Sequence, residues 1–139
     1  MIKKIKYIII FKIFFLLSTT HAYSSENKIL LKVNNEIVTS IDVLNEFKYL
    51  QIINKEFRNI KKEEAFKISK NSIIREKIKE IEIKRLIKEF KIDKKILDNL
   101  ILNYFNGLGI KSIPEFEKYF LSKNIDPFLI KNKITLEVL

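Results

Sequence analysis

From Glu63 to Phe90 the chain reads EEAFKISKNSIIREKIKEIEIKRLIKEF. No glycine or proline interrupts it, and Glu, Lys, Arg and Ile dominate. Such a stretch predicts one long helix, and the rest of the chain must be arranged around it. At about 100° per residue its apolar side chains fall into two groups. Phe66, Ile73, Ile74, Ile78 and Ile81 share one side, while Ile83, Leu86, Ile87 and Phe90 share a side turned away from the first. A surface helix of a globular domain keeps one apolar stripe. A stripe that changes side therefore predicts a central helix wrapped by other segments. Glu63 with Lys67, and Glu80 with Lys84, stand four apart in the favourable order.

Ahead of this helix, Ile29–Val33 and Glu36–Val38 flank the pair Asn34-Asn35. Asparagine tolerates positive φ, so the pair suits a two-residue hairpin loop. That loop pairs Val33 with Glu36 and Leu31 with Val38, and puts Ile29, Leu31, Val33 and Val38 on one face. A lone hairpin is marginal in water, so that face must rest on helices. Thr39 then caps a helix over Ser40 to Asn54, with Asp42 three residues on to complete a capping box. Val43, Leu44, Phe47 and Leu50 form its apolar stripe. Phe57 to Lys62 is a basic link, partly helical.

Beyond the long helix, Asp93 caps a helix over Lys94 to Phe105, and Asn106-Gly107 supplies a left-handed stop. Ser112-Ile113-Pro114-Glu115 restarts a helix to about Lys123, with Ser112 as cap, Pro114 in the first turn and Glu115 closing a capping box. Asn124 stops it. Asp126-Pro127 opens a last helix, Pro127 to Leu139. The apolar pattern is still running at Leu139, which reads as an abrupt end, as of a fragment of a longer protein. The fold class is mainly α: a helical domain with a short N-terminal β-hairpin and one long central helix.

Met1 to Ala22 has the layout of a signal peptide. Lys3, Lys4 and Lys6 are basic, Tyr7 to Leu17 is apolar except for Lys12, and Thr20-His21-Ala22 presents small residues for cleavage between Ala22 and Tyr23. An apolar run of 11 residues falls short of the ~20 that span a bilayer, which disfavours an uncleaved anchor. Cleavage leaves residues 23–139 as the domain, exported to the periplasm with no stable membrane anchor. The formal charge of +10 includes four leader lysines; without them 23 basic residues face 17 acidic. That excess is spread out rather than gathered on a stripe, so nucleic acid is not an expected partner. The chain has no cysteine, and its one histidine, His21, lies in the leader. Thiol and imidazole nucleophile systems and ordinary zinc sites are thereby excluded from the processed chain, and no cofactor or metal is expected.

The order of these elements is similar to a known family. An exported chain with ILLKVNNEIVTSIDVLNEF, a long Ile-rich helix ending in KEFKI, and then three shorter helices over IDKKILDNLILNYFNGLGIKSIPEFEKYFLSKNIDPFLIKNKITLEVL resembles the N-terminal domain of the SurA family of periplasmic chaperones. The resemblance covers Ile29 to Leu139 and rests on order and spacing. It implies a domain that holds unfolded outer-membrane or exported proteins and aids their folding and assembly, binding extended, aromatic-rich segments in an apolar crevice. Family members usually continue into parvulin-type peptidyl-prolyl isomerase domains and a returning C-terminal segment, and these 139 residues contain neither. The alternative is an enzyme: the front piece of a prolyl isomerase whose catalytic domain lies beyond residue 139.

The candidate client-binding residues are Tyr104, Phe105, Phe116, Tyr119, Phe120, Phe128 and Leu129. Residue by residue, aromatics at helical spacing more often pack as core. As a group they are the expected groove. The acidic residues offer no catalytic pair; Glu63, Glu64, Glu80 and Glu82 read as a solvated face among lysines.

Overall fold

The computed structural model describes residues 27–87 and 92–138. The leader, its cleavage point at Ala22 and Tyr23, Phe90 and Leu139 lie outside them. The chain is mainly helical, with a two-stranded antiparallel hairpin ahead of five α-helices among the described residues. Strands β1 (Ile29–Val33) and β2 (Glu36–Thr39) precede helices α1 (Ser40–Ile53), α2 (Lys62–Leu86), α3 (Lys94–Tyr104), α4 (Ile113–Ser122) and α5 (Pro127–Val138).

The hairpin register is the one its turn dictates, with Val33 opposite Glu36 and Leu31 opposite Val38. Asn34 takes the left-handed conformation at φ 52°. The pairing is irregular between Ile29 and Leu31. Leu31 and Val33 pack with the buried Val38, Val43 and Ile73, whereas Ile29 is left 68% exposed. The one-face expectation therefore holds for three of its four residues and fails where the register slips, because a strand's side chains change face with each residue of offset.

Strand β2 runs directly into α1 through the capping box. Thr39 Oγ1 accepts from the Asp42 amide, and the Asp42 carboxylate accepts from the Thr39 amide at 2.8 Å. At the same joint the Ser40 amide donates to the Lys28 carbonyl at 2.8 Å. One residue thus ends the sheet and starts the helix. Thr39→Ala should lower the unfolding free energy by about 0.5–2 kcal/mol in a urea titration, and Thr39→Ser should recover most of it.

Helix α1 buries Val43, Glu46, Tyr49 and Ile52, a run at every third residue, while Leu44, Phe47 and Leu50 are half-buried. The predicted stripe sits one step round the helix from the true one. Phe47 stacks on Phe66 of α2 (centroids 4.8 Å, 9°) and meets Phe57 edge-on at 5.9 Å. Phe57 is buried in a 3₁₀ turn, Glu56–Asn59, which makes the partly helical link.

Helix α2 corrects the expectation of a stripe that changes side. Its buried residues are Ala65, Ser69, Ile73 and Ile83, with Glu76 and Glu80 half-buried between them. At 100° per residue these six lie within a quarter turn. The stripe is single and partly polar. Two small residues, Ala65 and the fully buried Ser69, let a neighbouring helix approach closely; Ser69 Oγ donates back to the Ala65 carbonyl at 2.8 Å. Ile78, Leu86 and Ile87, read as core, are exposed, Leu86 by 76%. The helix is nonetheless central: the hairpin, α1 and α5 all touch it. Its last α-helical residue is Leu86, and Ile87 is extended at φ −125°, short of the predicted Phe90. Nothing in the sequence marks that stop.

Asp93 caps α3, its carboxylate accepting from the Lys95 and Ile96 amides. The left-handed stop falls at Gly109 (φ 77°), not Asn106-Gly107, because a 3₁₀ turn over Asn106–Leu108 carries the chain one turn further. Ser112 caps α4 as expected, but the Glu115 carboxylate reaches past it to the Lys111 amide at 2.9 Å. Asn124, at φ 54°, ends that segment, and Asp126 accepts from the Phe128 amide to open α5.

Candidate functional site

The run of Val43, Glu46, Tyr49 and Ile52 on α1 crosses from one apolar cluster to another. Val43 belongs to a small cluster with Val38 and Ile73 beneath the hairpin. Tyr49 and Ile52 belong to a larger one with Ile101, Phe105, Phe116, Phe120, Ile130 and Ile134. Between them lies Glu46, only 3% exposed. A carboxylate so placed must be neutralised and hydrogen-bonded or it destabilises the fold.

Both conditions are met. Ser72 Oγ of α2 donates to Glu46 at 2.7 Å, and Lys133 Nζ of α5 lies 2.9 Å from its other oxygen. Lys133 also contacts the Glu76 carboxylate of α2 and sits 5.2 Å from the centroid of the Tyr49 ring. Burial alone would lower the Lys133 ammonium, but Glu46 and Glu76 outweigh it and hold the group above the ordinary lysine value. Tyr49 Oη is buried without a hydrogen-bond partner among the described residues. Burial first, and then the neighbouring Tyr104 hydroxyl, push its pKa well above the usual tyrosine range, so it stays a neutral phenol.

A second group of charges borders the first. Lys84 lies 2.7 Å from Glu80, Lys77 lies 3.1 Å from Glu80, and both lysines reach Glu36 of the hairpin, at 3.4 and 3.7 Å. Partial burial would raise the Glu80 carboxyl, but Lys84 and Lys77 bring it below the usual range. Glu63, Glu64 and Glu82 are exposed, in keeping with a solvated face; Glu80 is not.

Glu46, Glu76, Lys77, Glu80, Lys84 and Lys133 line a cavity of about 490 Å³ between α1, α2 and α5, with Leu97 of α3 also in its wall. Apolar side chains share the same wall: Ile73 and Ile83 lie among Glu76 and Glu80 on the buried stripe of α2, and Ile130 and Leu136 come from α5 beside Lys133. Leu129 lines the cavity and is also 42% exposed, which places it at the mouth. The volume falls within the 300–1,000 Å³ of ordinary ligand sites. Among the described residues no cluster of His, Asp or Glu has metal-holding geometry, and no helix is long and apolar enough to cross a membrane.

The seven residues singled out in the sequence separate into two sets. Phe105, Phe116 and Phe120 are fully buried and mutually packed, with centroids 4.9–5.5 Å apart. They cannot line a groove in this conformation, because α3 and α4 hold together through them. Tyr119 is half-buried, edge-on to Phe120 at 5.5 Å. Tyr104, Phe128 and Leu129 are exposed, Phe128 by 62%. Of the seven, Leu129 alone lines the cavity. Glu46, Tyr49, Glu76 and Lys133 were missed from the sequence. The signal that would have found the first two is the i, i+3 run from Val43 to Ile52, in which a glutamate takes a core position.

Comparison with known proteins adds no relative: no protein family, no curated protein and no solved structure matches this chain.

Proposed function

We propose that this chain is a SurA-like chaperone domain of the periplasm, exported by its leader, which binds extended apolar segments of unfolded outer-membrane or exported proteins. The observation that carries this reading is the cavity between α1, α2 and α5 with an apolar residue, Leu129, standing half in solvent at its mouth, beside the exposed Phe128. Apolar side chains gathered at a cavity mouth are the usual mark of an interaction site. The order of hairpin, long helix and three short helices, similar to that family, supports the same conclusion. Binding proceeds by adaptable apolar contact rather than chemistry. The aromatic surface available to a client is Tyr104 and Phe128, not the buried trio.

Light scattering of a diluted, urea-unfolded outer-membrane protein tests the proposal. The full chain should slow its aggregation in proportion to the amount added, and Leu129→Asp should remove most of that effect while leaving the helical circular dichroism intact. Aggregation at the same rate with and without the chain would sink it.

A further inference from the structure

The cavity has a charge character unlike the rest of the molecule. The chain carries 27 basic to 17 acidic side chains. The cavity wall reverses that balance, with Asp42, Glu46, Glu76 and Glu80 against Lys77, Lys84 and Lys133. Glu80, together with Glu36 of the hairpin, is matched by Lys77 and Lys84. Glu46 and Glu76, however, share the single ammonium of Lys133, so that trio keeps one negative charge. Glu46 is 3% exposed and the Lys133 side chain 12%, so water and salt screen that charge poorly. Isoleucine and leucine side chains of α2 and α5 are interleaved with these charges in the same wall. The space therefore offers apolar contact beside an unneutralised carboxylate charge.

We propose that this cavity is a peptide subsite selective for an apolar side chain carried next to lysine or arginine in an extended segment. The proposal rests on the chaperone reading above and gives that site its preferred ligand chemistry. The apolar side chain enters past Leu129 against Ile73, Ile83 and Leu136. The neighbouring cation lies along the Glu76 edge, where it completes the neutralisation that Lys133 leaves half done. An acidic residue in the same place meets the like charge of Glu46 and Glu76 and is rejected. The molecule's overall positive charge would by itself favour acidic peptides, so the selectivity is opposite to what composition implies and is diagnostic of the cavity.

Fluorescence anisotropy with three labelled decapeptides tests this on the full chain. The peptides carry the same two phenylalanines around a central Lys, Gln or Glu. Affinity should fall in that order, by about tenfold from Lys to Glu at low salt, and the spread should narrow as salt is raised. Glu76→Gln keeps the shape of the wall and leaves one carboxylate to one ammonium, so the spread should shrink to about twofold. Leu129→Ser removes apolar wall without touching charge and should weaken all three peptides by a common factor. Equal affinities, a preference for the Glu peptide, or an undiminished spread in Glu76→Gln would overturn the subsite. So would no binding of any peptide; suppressed aggregation of an unfolded client alongside that result would leave the broader chaperone reading standing. A charge-ordered series with no suppression of aggregation would do the reverse.

Discussion

Replacing Lys133 by methionine should cost about 3–5 kcal/mol of unfolding free energy, a large part of the roughly 5–15 kcal/mol that holds a domain together. The lysine touches Glu46, Glu76 and the Tyr49 ring at once. Without it, two carboxylates on adjacent helices face each other, one of them fully buried, and only Ser72 remains to solvate Glu46. Restoring charge balance from the other side should rescue the fold: Lys133→Met with Glu46→Gln and Glu76→Gln should recover most of the loss, because a neutral cluster of the same shape has no uncompensated charge. Urea titrations of the three proteins measure this. A single Lys133→Met variant within about 1 kcal/mol of the parent would contradict the geometry described.

The same cluster sets the response to alkali. The ammonium of Lys133 is held above its ordinary value in the fold, so its contribution is complete below the unfolded-state value of about 10.5. It is lost as pH rises through the folded value. Tyr49 acts in the same direction: the fold keeps the phenol neutral, while an unfolded tyrosine ionises above about 10. The urea midpoint should stay level up to about pH 10 and fall beyond it. The fall should be shallower in Lys133→Met, which has only the tyrosine left to titrate.

Phe120→Ala should be the other severe substitution, at about 3–5 kcal/mol. Its ring is fully buried and packs on Phe105 at 5.1 Å and Phe116 at 4.9 Å, so truncation leaves a cavity lined by two rings that cannot close it. Phe128→Ala, on a ring 62% exposed, should change stability by no more than about 0.5 kcal/mol. The pair separates structural from surface aromatics by thermal or urea unfolding. Equal costs at the two sites would mean that the helices are arranged otherwise.

What could be read from the sequence depended on how local its cause was. The hairpin register follows from two asparagines and the strand period, and the Thr39–Asp42 capping box and the Ser112 cap from residues three apart. These were legible because cause and effect lie within one turn. The buried stripe of α2 was not. Isoleucine is so abundant in this chain that its positions carry little information: Ile78 and Ile87 face solvent while Ala65 and Ser69 are buried. Close helix packing selects small residues there, and smallness is invisible to a search for oily side chains. The cavity was the least legible of all. Glu46 reads as one more solvated acid until Lys133, far along the chain, is brought beside it. The aromatic group misled in a different way, since spacing along a helix does not distinguish a ring that joins two helices from one offered to a ligand.

The link between Glu46 and Lys133 also ties distant parts of the sequence together. The hairpin, α1 and α2 are joined by contacts between neighbours in sequence. The ammonium that Glu46 and Glu76 share is supplied by α5. Undocking α5 would therefore strand both carboxylates without their cation, so the seating of that helix and the burial of the α1–α2 seam stand or fall together.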